Sequence, residues 1–326
     1  MQLIDNLSEF FLASESVLTI GAFDGVHVGH QHLISQVVRR AGETHRFAGL
    51  VTFHPHPVAV LAPQVRLRYL TTPGDQAAVF EKLGLKVVAI LTFDRKMADT
   101  TASEFASMLS QHLHMKELWV GADFVMGRDR QGDINALRML GRRLGYSLRV
   151  VEPYLLDGTA VSSTRIRNAL DAGDVREAAR LLGRYQSLAG EVVEGAHRGR
   201  SLGYPTANLE VREEHAIPAD GVYAVYALLG TECHLGVASI GVRPTFDNGR
   251  RTVETYILDF DEDIYGCDLV VQFVQRLRGE ERFQRVSDLV AQIGRDVANT
   301  RAILEREAVV AEGAAPCGKR SSTPPT

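Results

Sequence analysis

A chain of 326 residues that is 45% hydrophobic and 23% charged has apolar material for two cores and an ordinary soluble composition. Its 36 basic and 40 acidic residues leave a net charge of −4, which makes no bulk electrostatic case for nucleic acid, so any nucleotide bound is expected to be small. The opening stretch MQLIDNLSEFFLASESV has acidic residues and neither a basic run nor a long apolar one; this speaks against a signal peptide or membrane anchor and for a cytoplasmic protein. Cys233, Cys267 and Cys317 are odd in number and far from CxxC spacing, so the thiols read as reduced bystanders rather than a disulfide framework or a zinc site.

In chain order, residues 17–20 form a short β-branched strand, followed by a glycine-rich turn with Asp24, His27 and His30 and then an amphipathic helix. The apolar run 47–53 fits a strand buried on both faces and ends at the turn His54-Pro-His56-Pro57. GDQAAVFEKLG reads as a helix stopped by Gly84, 86–92 as another buried strand, and 103–114 as a helix with Ser103 at its N-cap. A strand over 118–120 ends at Gly121, a helix covers 134–145, and 147–151 is strand-like. Strands alternating with helices over about 170 residues predict an α/β, doubly wound parallel sheet, whose ligands gather beyond the carboxyl ends of its strands. The His27/His30 turn lies at such an end. Past Gly183 the pattern becomes strand-rich, at 188–193, 222–229, 234–240, 252–260 and 268–275, which predicts a small antiparallel barrel. An amphipathic helix over 282–306 follows, and the tail is small, polar and expected to be disordered. The expected domains are therefore 1–183 and 184–308, with a tail at 309–326.

Three stretches carry chemistry. In LTIGAFDGVHVGH the strand, turn and helix leave backbone N–H groups and a positive helix end facing one spot, which suits a polyphosphate. Gly21, Gly25 and Gly29 permit close approach of the backbone, and His27 and His30 face the same ligand. By spacing alone the pair fits a phosphate site, a metal pair or an ordinary polar turn. VSSTRIR opens a helix with Ser162 or Ser163 at the N-cap; its hydroxyls and arginines read as a second anion site or as a capped surface helix. In GAHRGRSLGYPTAN, Gly195, Gly199 and Gly203 make a basic loop whose Arg198 and Arg200 suit phosphates. Thr206 and Asn208 offer neutral oxygens to a hard cation, and a plain glycine-rich hairpin is the alternative. No P-loop, no protein-kinase HRD or DFG and no Ser/His/Asp arrangement occurs.

GAFDGVHVGH resembles the HxGH signature of the nucleotidylyltransferase superfamily in the form found in FMN adenylyltransferases. SSTRIR resembles the ISSTxIR motif of the same enzymes and GADFVMG their G-x-[DN]-F-x-F-G loop, with Met126 where the family usually has Phe. The two phosphate motifs lie more than a hundred residues apart and in the family's order. GRSLGYPTANL, GVYAV, IGVRPTF, VETYILDF and DIYG are similar to the landmarks of riboflavin kinases. The resemblance covers the chain to about residue 306 and identifies it as a member of the prokaryotic bifunctional riboflavin kinase/FMN adenylyltransferases, also called FAD synthetases. It implies a Rossmann-like N-terminal domain that adenylylates FMN and a C-terminal barrel that phosphorylates riboflavin. For the first site it implies His27, His30 and Arg167 as catalytic residues; Gly21, Phe23, Asp24, Gly25, Gly29, Ser163, Thr164 and Arg165 at the ATP phosphates; and Asp123 and Phe124 at the flavin. For the second it implies Glu254 as general base, Thr206 and Asn208 as ligands of Mg²⁺, and Gly195, Gly199 and Arg200 near the phosphates. ATP is the co-substrate, FMN and FAD are substrate or product, and neither nucleic acid nor membrane is an expected partner. The expected state is a monomer or transient homo-oligomer.

Overall fold

The computed structural model describes residues 1–195, 198–242 and 251–310. By compactness the chain divides into Met1–Ser163 and Thr164–Thr326. In the first unit, strands β1 (Gln2–Ile4), β2 (Ser16–Ile20), β3 (Phe47–His54), β4 (Val87–Thr92), β5 (Met115–Gly121) and β6 (Ser147–Val151) form one sheet. Their order is β1-β4-β3-β2-β5-β6, and every pairing is parallel. Six helices accompany it: α1 (Val28–Glu43), α2 (Pro57–Leu61), α3 (Pro73–Lys82), α4 (Arg95–Ala98), α5 (Ala102–His112) and α6 (Ile134–Leu144). A two-stranded hairpin, β7 (Leu155–Leu156) and β8 (Thr159–Ala160), precedes the end of the unit.

Because successive strand residues face opposite ways, the apolar runs read from sequence supply two cores at once. Val17, Leu50 and Val88 pack with Ile34, Val37 and Phe80 on one face, while Leu18, Val51 and Ala89 pack with Phe105 and Leu109 on the other. The strand order reverses between β2 and β5, so the switch point where doubly wound sheets bind ligands falls at the carboxyl end of β2. There the chain turns into α1.

Local details depart from expectation at one cap. Helix α5 begins at Ala102, and its N-cap is Thr101 rather than Ser103. Thr101 Oγ1 accepts from the Glu104 N–H at 3.2 Å and the Glu104 carboxylate accepts from the Thr101 N–H at 2.9 Å, a reciprocal pair that Ser103 has no partner to make. Gly127, at φ 78°, lies so close to the Ala102 backbone that no side chain fits there.

Away from the switch point, Glu117 of β5 is 3% exposed and its carboxylate accepts from Arg40 at 2.9 Å, Arg46 at 3.1 Å and the Trp119 indole at 3.1 Å. Burial alone would raise its pKa, but the Arg40 and Trp119 bonds outweigh that and hold it below the usual carboxylate range. Glu117→Ala is expected to destabilise this unit by about 2 kcal/mol, less than for a fully buried pair because Arg40 and Arg46 stay partly solvated. Urea unfolding of the two proteins, followed by the fluorescence of the sole tryptophan, Trp119, measures it.

The second unit opens with α7 (Ser163–Asp171), which starts at the last residue of the first unit, and α8 (Val175–Leu182). Strand β9 (Gln186–Val193), the short helix α9 (Arg198–Ser201), and strands β10 (Ala207–Glu210), β11 (Gly221–Leu229), β12 (Glu232–Val242), β13 (Arg251–Ile257) and β14 (Asp268–Arg278) follow, and α10 (Val286–Val310) ends it. The six strands close into an antiparallel barrel of order β10-β13-β12-β11-β14-β9, with β9 pairing back to β10. Strand β11 is buried on both faces. Its Ala224 and Tyr226 meet Ile303 and Leu304 of α10 outside the barrel, and Tyr223, Val225 and Ala227 alternate with them toward the inside. Arg278 of β14 holds α10 in place through the buried Asp296 carboxylate, at 3.0 and 2.8 Å.

Strand β10 escaped the sequence reading because it is four residues long and begins two residues after Pro205. The boundary expected at residue 183 and the division by compactness at Ser163 differ by α7 and α8. Helix α8 buries Val175, Ala178, Leu181 and Leu182 and packs on β9 and β14. Cys267 is free and exposed, and Cys317 lies outside the described residues. Of the expected tail, residues 311–326 lie outside the described residues, as does most of IGVRPTF.

Candidate active sites

At the carboxyl end of β2 the turn is built by backbone strain and long-range bonds. Phe23, Gly25 and Val26 all have positive φ, at 49°, 82° and 38°, so the chain doubles back before α1. Thr71 and Leu70, from the segment before α3, brace it: the Gly25 N–H donates to Thr71 Oγ1 and the Leu70 N–H to the Asp24 carboxylate, each at 3.0 Å. His27 then caps α1, its Nδ1 accepting from the His30 N–H at 3.2 Å. The two imidazoles stack, with centroids 3.6 Å apart and planes 16° from parallel. Gly29 makes this possible, because a Cβ there would press on the His27 ring at 3.1 Å.

His30 rests edge-on against Phe23 at 5.0 Å, and its Nδ1 is buried with no hydrogen-bond partner. Such an atom is costly to leave unpaired unless a ligand satisfies it. Burial, and after it the neighbouring His27 charge, hold the His30 imidazole well below its ordinary pKa of 6.5, so the ring is neutral at neutral pH. The unfolded chain gains a proton as the pH falls below 6.5 and the folded one does not, so the stability His30 contributes is full above that pH and lost as the pH falls toward the folded pKa. A polyphosphate against the ring would reverse the preference. Binding of ATP is therefore expected to take up a proton in the wild type and to lose that uptake in His30→Gln, as titration calorimetry in two buffers of different ionisation enthalpy would show.

The second phosphate motif reaches the same turn. The Ser163 hydroxyl donates to the Asp24 carbonyl at 2.9 Å, and the Val161 carbonyl lies 3.6 Å from where a Gly29 Cβ would stand. Helix α7 begins at Ser163, which leaves Ser162 at the N-cap position. Asp24 and Phe23, expected at the phosphates, are 2% exposed and support the turn from beneath. Arg165 is ion-paired with Glu177 of α8 at 2.5 Å, which assigns it to holding the two helices together; Thr164 is exposed and Arg167 half-buried. In the GADFVMG loop after β5, Phe124 and Met126 pack on the core beneath the sheet, Met126 pairs with Gly132, and Asp123 is exposed. His56 caps α2 through its Nδ1, the ordinary structural role for a histidine at a strand-to-helix junction.

In the barrel, Thr206, Asn208 and Glu254 come together although Glu254 lies more than forty residues from the others. Asn208 and Glu254 are opposite one another on β10 and β13, and Thr206 Oγ1 donates to Glu254 Oε2 at 3.4 Å. The loop glycines make room for these side chains: a Cβ on Gly195 would overlap the Asn208 amide, and one on Gly199 would overlap the Tyr204 carbonyl and stand 3.3 Å from Thr206 Oγ1. A cavity of about 360 Å³ opens beside them, with Thr206, Arg200, Pro205, Ile257, Phe260 and Tyr265 in its wall. Thr206 thus belongs both to the cavity and to the Glu254 cluster, so a group seated in the cavity and a group held at Glu254 can meet there. Sequence reasoning missed Thr71 and Leu70, and it missed Tyr204, whose ring stacks edge-on with Tyr256 at 5.3 Å; each acts on a partner far away in sequence. Among the described residues no cluster of three or more His, Cys, Asp or Glu side chains is placed to hold a metal, and no helix is long and apolar enough to cross a membrane.

Comparison with known proteins finds a family match for each half of the chain. A family described as FAD synthetase matches residues 12–165, and one described as riboflavin kinase matches residues 182–304. The bifunctional riboflavin kinase/FMN adenylyltransferase of Pseudomonas fluorescens is 39% identical over 289 residues, covering 88% of this chain and 92% of the relative. That of Listeria monocytogenes is 36% identical over 294 residues, covering 89% and 93%, and that of Escherichia coli K12 is 36% identical over 287 residues, covering 87% and 91%. Among solved structures, one described as a macrolide-efflux protein from Streptococcus pneumoniae superposes with a TM-score of 0.83 at 32% identity, covering 92% of this chain and 98% of that one.

Proposed function

This chain belongs to the family of bifunctional riboflavin kinase/FMN adenylyltransferases, and from that premise we propose which residues carry each of its two reactions. Its N-terminal part adenylylates FMN with ATP to give FAD and pyrophosphate, and its C-terminal part phosphorylates riboflavin with ATP to give FMN and ADP. We assign the first reaction to residues 1–183 and the second to 184–308. The observation that carries the assignment is convergence: residues far apart in sequence, Asp24 with Ser163 and Thr206 with Glu254, stand in hydrogen-bond contact around the expected sites.

In adenylyl transfer the nucleophile is already an ionised phosphate, so the turn needs to position ATP and neutralise charge rather than abstract a proton. His30 Nδ1 and the α1 N-terminus supply donors for that task, with Ser163, Thr164 and Arg167 closing the site and Asp123 and Phe124 beside the flavin. In the kinase reaction the nucleophile is a hydroxyl, and Glu254 accepts its proton. The donor set Thr206 and Asn208 fits Mg²⁺, since two neutral oxygens leave most of the coordination sphere to water and ATP phosphates, as this ion prefers. When bound, the ion neutralises charge on the transferring phosphoryl group. The cavity beside Thr206 takes the nucleotide, with apolar walls for its base and Arg200 toward its phosphates. Riboflavin, FMN and ATP are the partners in this reading, which has the protein working in the cytoplasm as a monomer or transient homo-oligomer.

The test is chromatography of products after incubating the purified protein with ATP, Mg²⁺ and, in separate tubes, riboflavin or FMN. FMN followed by FAD from riboflavin, together with FAD from FMN, is the expected outcome. FMN alone would show the N-terminal site to be impaired and direct attention to Met126. No product from either flavin would overturn both assignments.

A further inference from the structure

Thr255 stands one residue beyond Glu254 on β13, on the opposite face of the strand. It is fully buried, it lines the cavity beside Thr206, and its Oγ1 has no hydrogen-bond partner. Its neighbours across the barrel wall are Ala207 on β10 and Ala238 on β12, two small residues that leave space beside it. Its methyl group lies toward Gly236, 3.4 Å from where a Cβ would be. A buried hydroxyl without a partner is a cost that folding alone does not explain, since valine would fill the same volume without it.

We propose that Thr255 Oγ1 is a nucleotide-binding group of the kinase site, hydrogen-bonding the ribose–phosphate segment of ATP. The inference rests on the reading that the cavity holds the nucleotide. Its position fixes which segment is contacted. Thr255 pairs with Ala207, the residue next to Thr206, so in a reading where Thr206 holds the phosphate-bound ion it stands near the phosphates rather than the base. A hydroxyl both donates and accepts, so it suits a phosphate oxygen or a ribose hydroxyl equally.

The experiment uses the full chain and three variants. Thr255→Val keeps the shape and removes the hydroxyl, Thr255→Ser keeps the hydroxyl, and Ile264→Trp places an indole on the loop that lines the same cavity. Riboflavin phosphorylation is assayed with varied ATP, and Ile264→Trp fluorescence is titrated with Mg²⁺ and ADP, the same titration of the wild type giving the contribution of Trp119 to be subtracted. The expected result is a KM for ATP raised about fivefold to twentyfold in Thr255→Val, with kcat and the KM for riboflavin little changed, recovery in Thr255→Ser, and an ADP-dependent change in the indole signal. Thermal stability of Thr255→Val should be equal or higher, because the residue replaces an unpaired polar atom by a methyl. An unchanged KM for ATP in Thr255→Val, with an ADP-dependent indole signal, would overturn the role of the hydroxyl while leaving the cavity as the nucleotide site. An introduced indole that does not respond to ADP, together with a KM for ATP unchanged in Ile264→Trp and in Thr255→Val, would overturn the cavity reading, and the proposal with it.

Discussion

Replacing His30 by alanine is expected to lower FAD formation from FMN and ATP by about a hundredfold to a thousandfold, and to leave riboflavin phosphorylation at the wild-type rate. The magnitude is that of removing one preorganised donor aimed at developing charge. His30 suits the test better than His27. The His27 ring caps α1, so its loss would also cost about 0.5–2 kcal/mol of helix stability, and the two effects would be confounded. His30 Nδ1, by contrast, bonds nothing in the free protein. The kinase rate provides the internal control, since Thr206, Asn208 and Glu254 all belong to the other compact unit. FAD synthesis at the wild-type rate by this variant would remove His30 from the transition state and reduce the turn to a structural cap.

How much of this was legible in sequence depends on how local each interaction is. The turn at His27 and His30 was readable because a strand, three glycines and a helix start lie within a dozen residues, and the strain at Phe23, Gly25 and Val26 is a local property. The buried strands β3, β4 and β11 announced themselves as continuous apolar runs because both of their faces are covered. Strand β10 did not, although it carries Asn208, because four residues after a proline are too few to show a period. Residues that act across the fold were invisible. The Thr71 hydroxyl meets Gly25 from 46 positions away, and nothing near SSTRIR shows that Glu177 takes up Arg165. The glycines of the barrel loop were read as part of a basic loop near the phosphates; that Gly195 and Gly199 also clear space for Asn208 and Thr206 was not visible, because those side chains reach them only in the fold. The N-cap of α5 was legible and misassigned: Thr101 with Glu104 three residues later is a capping-box pattern, which the neighbouring Ser103 obscured.

Glu254→Gln should show the reverse selectivity to His30→Ala: riboflavin phosphorylation lowered by about a thousandfold, with FAD formation from FMN retained. The amide preserves the shape of the side chain and an oxygen that still accepts from Thr206, so binding of ATP and folding of the barrel should survive. What it removes is the capacity to take a proton from a hydroxyl, whose contribution is about a hundredfold to ten thousandfold. The loss should therefore appear in kcat rather than in either KM. A second role is open to a carboxylate 3.4 Å from the Thr206 hydroxyl, namely help in holding Mg²⁺. The two roles separate in a titration with the ion. A variant whose rate recovers at high Mg²⁺ has lost a ligand, and one whose rate stays low at saturating Mg²⁺ has lost its base. An unchanged kinase rate at ordinary Mg²⁺ would exclude both roles and leave Glu254 as a strand residue beside the metal ligands.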